Sequence, residues 1–357
     1  MSPDNSLHSI ELLWDRGTAY DMFVSLYVLH NPAKFGLRGA WTAGVRSRLP
    51  AGERKILALA QEMFPIPLHW LYALPEPKDS AAVLWTLTKL SPAERLPALV
   101  FSPEMPTDIA EVFGSIAARR TWGDDDLERV RSFYQQRGKP VRGKTLADCL
   151  DQWARPDEFG EQYVQALQVY QAVFFAEEER RIRPVLQTSL QQAQTLAAQR
   201  PLAELLETLS QGVRFDMLSE LEQLVLAPSY WLTPFIVFGR LAPGCEIVLF
   251  GGRPSGTALV PGNGVPDSLL QSLKALADPT RLQILRYLRG QPLTPAQLAR
   301  RLRLRAPTVI HHLNALRLAG LVQVIVSAEN DKRYASRPEA MDAAFDTLRR
   351  FLDDEAR

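Results

Sequence analysis

Tyr20, Phe23, Val24, Tyr27 and Val28 recur at three- and four-residue intervals, forming one apolar helix face that Asn31-Pro32 brings to an end. The same period predicts helices over 51–64, 81–90, 107–119, 124–135 and 145–153. A longer helical stretch runs from about 158 to 199, and Pro184 within it is expected to kink or split it. Glu177 to Arg181 in that stretch reads as a solvated face with local ion pairs. Two β-rich pieces follow, 235–238 and 246–250, with turn chemistry at 239–244 between them. They predict a hairpin or small sheet closing a first domain. Pro261, Gly262, Gly264 and Pro266 then punctuate a polar stretch, where a domain boundary is expected. The fold class is therefore mainly α: a helical N-terminal domain (1–262) with a small β element, then a second domain over 266–352.

The second domain carries the clearest local signals. Asp278-Pro279 opens a helix with a capping carboxylate and a residue preset for the first turn. Leu282, Ile284, Leu285 and Leu288 supply its buried side, and Gly290 ends it. Thr294-Pro295-Ala296-Gln297 has capping-box spacing and opens a second helix, with Leu298 and Leu302 pointing into a core. A tight turn, Arg303-Leu304-Arg305, leads to a third helix over 306–318, which Gly320 terminates. There Val309, His312, Leu313 and Leu316 share one face, so His312 is expected as a packed, hydrogen-bonded core residue. Strand 321–326, a turn over 327–331 and a return through Lys332-Arg333-Tyr334 form a wing. An amphipathic helix closes the chain, with Met341, Ala344, Phe345, Leu348 and Leu352 on one side. It serves either packing on its own domain or dimerisation.

A two-helix unit whose second helix exposes Thr, His, Asn and Arg is suited to the major groove, because those groups reach base edges and phosphates. The expected DNA-contacting residues are Arg305, Thr308, Ile310, His311, Asn314 and Arg317 on the helix, with Lys332, Arg333 and Tyr334 on the wing. Charge supports a polyanionic partner. The whole chain has a net charge of only +1, yet residues 268–352 hold 14 Lys and Arg against 6 Asp and Glu.

Composition excludes several alternatives. With only two cysteines, Cys149 and Cys245, no disulfide framework or four-thiol zinc site can form, and two reduced thiols in a cytoplasmic protein are expected. The N-terminus carries Asp4, Glu11 and Asp15 and has no basic start, so a signal peptide is not expected. The apolar run 223–239 is too short, and too broken by Pro228 and Pro234, to span a bilayer. All seven tryptophans precede residue 232; they build core or line an apolar pocket.

The segments LKALADPTRLQILRYL, LTPAQLARRLRLRAPTVIHHLNALRLAGLV and DKRYA, in that order, resemble the ArsR family of bacterial winged-helix regulators. The resemblance covers Leu269 to about Leu352. It implies a homodimer bound to a double-stranded, pseudo-palindromic operator, usually as a repressor released by a signal. It also maps the base-reading helix onto 306–317 and the wing onto 322–335. SLYVLHNPAKFGLRGAWTAGVRSRLP resembles a helical domain found fused to such heads, with no activity attached. Three departures matter. The helix LTPAQLARRL lacks the thiol pair, and MDAAFDTLRRFLDDEAR lacks the histidine, of the family's two usual metal sites, so no metal is expected. Arg305 stands where Ser commonly caps the helix. Ile310 replaces a small polar residue and could touch a thymine methyl.

No catalytic residues and no cofactor are expected. FGGRPSG and VPGNGVP lack nucleotide-loop spacing and read as turns, TWGDDDLERV reads as a helix start, and His8, His30 and His69 are isolated. The N-terminal domain is left as a dimerisation module or a sensor of an unidentified, non-metal small-molecule effector. An enzyme, or a protein-interaction module, fused to a winged-helix head is the alternative.

Overall fold

The computed structural model describes residues 10–37, 39–136, 143–215, 221–254, 257, 266–326 and 332–353. Seven strands are described: β1 (Glu11–Trp14), β2 (Val213–Phe215), β3 (Gln223–Ser229), β4 (Ile236–Ala242), β5 (Cys245–Gly251), β6 (Val322–Val326) and β7 (Lys332–Ser336). The chain is mainly helical, and the helices pack into a body that holds one sheet and a head that holds most of the other.

The body sheet has the order β1-β3-β5-β4, with β1, β3 and β5 parallel and β4 antiparallel to β5. Only the β4–β5 hairpin was legible in the sequence. β3 lies inside the sheet and is buried along nearly its whole length, so it shows no alternation; β1 pairs with it across more than 200 residues of chain. The helical period holds at Thr18–His30, Ala51–Met63, Ser80–Lys89, Thr107–Arg119, Asp124–Gln136 and Gly143–Trp153, close to expectation. The stretch after 155 is not split at Pro184, which lies within the helix Ala176–Ala197. Its irregularity is a single π-helical turn, Gln171–Phe175.

Aromatic side chains fill the body. Trp153 is sandwiched between Phe101 and Phe113, with ring centroids 5.3 and 4.6 Å away. Trp231 stacks on Trp41 at 5.4 Å. Helix Pro92–Val100 crosses helix Pro156–Tyr170 at Gly160, where any Cβ would sit 2.0 Å from the Pro92 carbonyl. One ion pair is buried: Lys78 Nζ lies 2.5 Å from Asp15, which also accepts from the Tyr20 hydroxyl. The expectation of a solvated 177–181 face fails at Glu179. Its carboxylate is buried and accepts from the Thr18 hydroxyl and from the amide and hydroxyl of Ser80, since that side of the helix turns toward the core.

The head has a separate, mostly aliphatic core built from Ile284, Leu288, Leu298, Val309, Leu313, Leu316 and Val322. Its helices are Asp267–Leu276, Pro279–Gly290, Pro295–Leu302, Ala306–Leu318 and Pro338–Asp353. Its sheet has the order β2-β6-β7, in which β2 comes from the body and runs parallel to β6.

Candidate nucleic-acid interface

The head's helices begin as their end residues dictate. The Arg281 amide donates to Asp278 Oδ1 at 2.9 Å, which caps the helix Pro279–Gly290. Thr294 and Gln297 satisfy each other's amides in a complete capping box. Arg303 turns the chain in the left-handed region at φ 55°, and Arg305 precedes the third helix without a side-chain cap, as the Arg-for-Ser departure implies. Gly320, at φ 70°, closes the helix and lets the chain turn into β6.

This third helix buries Val309, Leu313 and Leu316. That leaves Thr308, Ile310, His311 and Asn314 exposed, with Arg305 exposed just before the first turn. Ile310 is 42% exposed. β6 packs against the helix, and its partner β7 presents Lys332 and Arg333 to solvent, opposite Val326 and Ile325. The hairpin tip, 327–331, lies outside the described residues. The arrangement offers donors, acceptors and one apolar contact on a helix of groove-fitting size, flanked by cations.

Three of the sequence expectations are corrected. Arg317 is only 5% exposed. Its guanidinium donates to the backbone carbonyls of Gln211 (2.7 Å), Ser210 (2.5 Å) and Pro234 (3.4 Å), and burial lowers its pKa to about 10. Helical spacing put it on the polar side but could not reveal that the body covers that side. Tyr334 is 8% exposed because its ring enters the head core while its backbone pairs with Leu293. Leu282, expected inside, is 48% exposed. His312 is tucked in as expected, but its buried Nδ1 has no hydrogen-bond partner and lies 3.8 Å from Asp278; burial lowers its pKa.

The residues that sequence reasoning missed tie the head to the body. Arg337 donates to the carbonyls of Gln211 (2.9 Å) and Gly320 (3.3 Å), Gln271 donates to Gly36, and the Val324 amide donates to Gly212. Gln211 itself is left-handed, at φ 52°. Nothing in the sequence pairs 210–213 with 317–337.

Residues 278–324 match the family model described as bacterial regulatory protein, arsR family. The head is an ArsR-type winged helix-turn-helix. That makes it a DNA-binding regulatory domain whose role is binding rather than chemistry. The match lies wholly within the head, and no curated protein matches the chain. Around the ArsR-type head and in the body, among the described residues, no group of three His, Cys, Asp or Glu side chains is placed to hold a metal ion. Among the same residues, no helix is long and apolar enough to cross a membrane.

Proposed function

We propose that the protein is a dimeric, sequence-specific repressor of the cytoplasm that responds to a non-metal signal, with 1–262 as the sensing or dimerising domain and 266–352 as the reader of a double-stranded operator. One observation carries this reading: Thr308, Ile310, His311 and Asn314 stand exposed on the third helix of an ArsR-type head beside Arg305, Lys332 and Arg333. The cations neutralise phosphates and position the head; the four helix residues sample base edges. In a two-fold dimer the paired helices enter successive major grooves roughly 34–36 Å apart.

The closing helix Pro338–Asp353 supports a dimer. No residue on it is buried, and its apolar stripe leaves Phe345 48% and Leu352 64% exposed. Covering that stripe with a second copy removes it from water. Two free thiols suit a reducing compartment.

The test is fluorescence anisotropy with duplex DNA from upstream of the protein's own gene. Arg333→Ala should weaken binding to all duplexes alike and lower the salt slope by about one. His311→Ala or Asn314→Ala should instead change which duplex is preferred. Affinity unmoved by Arg333→Ala at every salt concentration would remove the wing contact from the reading.

A further inference from the structure

The third helix of the head does not end in free solvent. His311, Asn314 and Leu318 stand at i, i+3 and i+7 and therefore share one stripe. The first two are exposed, and Leu318 is half-buried where the body packs on it. A Cβ built on Gly36 would lie 2.8 Å from Leu318 Cδ2, and the Gly36 carbonyl accepts from Gln271 of the head at 3.1 Å. At a rise of about 1.5 Å per residue, this contact stands roughly 10 Å along the helix axis from His311. The body thus occupies the continuation of the stripe assigned to the groove.

What stands there is cationic. Residues 34–55 hold six Lys and Arg against one Asp or Glu, in a chain with 41 of the former and 40 of the latter. Lys34 is exposed on the single 3-10 turn Pro32–Phe35 that brings Gly36 against the head, and its ammonium donates to the Tyr27 hydroxyl at 3.1 Å. Burial and, after it, the charge of Arg46 lower the pKa of His30, two residues before that turn begins, so Arg46 lies near the turn. The Arg54 guanidinium donates to the Arg46 carbonyl at 3.4 Å, and Arg48, between them in sequence, is exposed. Among the described residues none of these four cations forms an ion pair, whereas Arg119, Arg120 and Arg131 elsewhere on the body each meet a carboxylate. A segment at this place either obstructs a duplex or holds it, and unpaired cations facing a polyanion decide for holding.

We propose that the body is a second DNA-contacting surface, on which Lys34, Arg46, Arg48 and Arg54 bind the sugar-phosphate wall beside the groove that the third helix enters. The major groove is about 12 Å wide, so a helix lying in it is flanked by phosphates, and a segment about one groove-width along from His311 meets one of those walls. Such contacts add affinity for any sequence and fix the angle at which the head enters, while the choice of sequence stays with the helix. The proposal rests on the reading of the head as an operator-binding domain.

The experiment follows fluorescence anisotropy of the full chain on a mixed-sequence duplex of about 40 base pairs, near four helical turns, across a salt series. Lys34→Gln, Arg46→Gln, Arg48→Gln and Arg54→Gln together should weaken binding at least tenfold at low salt and lower the salt slope by about two to four. Arg48→Glu, a single change at an exposed position, should by itself weaken binding threefold or more, which keeps the test decisive if the joint variant does not fold. Neither should change the ranking of duplexes that Asn314→Ala alters. Matched neutralisation of Arg119, Arg120, Arg129 and Arg131 should leave the slope unmoved. Unchanged affinity and slope in the patch variants, tighter binding by either, or an equal loss from the matched set each overturns the proposal. If the native chain binds duplexes and the patch variants bind them alike, this proposal alone falls; if the native chain binds no duplex, the operator-binding reading falls with it.

Discussion

The head is packed with aliphatic side chains and contains no tryptophan, whereas the body is packed with aromatic rings and contains all seven. Two of the head's helices start on a local signal, Asp278 and the Thr294–Gln297 box, and Gly320 marks the end of a third. The body's order rests on rings brought together from distant helices, such as Phe101 on Trp153 and Trp41 on Trp231. Local signals can be read from one sequence, and ring partners cannot. Among the contacts that join the two regions is one arginine, Arg317, which belongs to the head by sequence and to the body by its hydrogen bonds.

The division has a spectroscopic consequence: intrinsic tryptophan fluorescence reports on the body alone. The largest effect is expected from Trp231→Ala, which empties a fully buried stacked position and should destabilise the body by about 3–5 kcal/mol in denaturant titration. A loss below about 1 kcal/mol would mean that the rings do not carry the body. Next comes Arg317→Leu. It strips a donor from three backbone carbonyls and should lower the head's stability by about 2–3 kcal/mol. The fluorescence and far-ultraviolet transitions, expected to coincide in the native chain, should then separate. Coincident transitions in this variant would show that the two regions are joined by other contacts.

A smaller effect belongs to Asp21, fully buried in the body, where its Oδ1 accepts from the Ser229 hydroxyl and the Trp231 amide. Burial raises its pKa from 3.8 to about 7 against the pull of these hydrogen bonds. The folded state therefore keeps this proton where the unfolded chain has released it. Between about pH 4 and 7 the group's contribution to stability falls as pH rises, and above 7 it is constant. Asp21→Asn keeps an acceptor and removes the titration. Its stability relative to the native chain should improve from pH 5 to 7 by up to about 1 kcal/mol per unit, and a pH-independent difference would reject this account. The smallest effect is in the head. Arg305→Ser supplies the absent cap and should add about 0.5–1 kcal/mol while weakening DNA binding through the lost cation; equal DNA affinity would remove Arg305 from the interface.

The candidate interface was legible as far as helical geometry reaches. Thr308, Ile310, His311 and Asn314 are exposed because Val309, Leu313 and Leu316 fix the buried side. Arg317 follows the same geometry, but what covers it is a turn more than 100 residues earlier, which no periodicity can reveal. Tyr334 reads as a wing contact in sequence because it follows two cations, yet its ring packs into the head core, which the sequence does not reveal. The body sheet was half hidden for a similar reason: β1 is too short to show a pattern and β3 is buried along nearly its whole length, and β2, in the head's sheet, is shorter still.

The added strand β2 also decides how the molecule can be taken apart. β6 has a neighbour on each flank, one from its own hairpin and one lent by the body. A fragment starting at residue 266 would lose the lent neighbour and bare a row of amides and carbonyls along β6, the kind of open flank that recruits strands from other molecules. Excised heads should therefore cluster through their wings, and a stretch spanning 210–215, supplied as a separate peptide, is the natural plug for that gap.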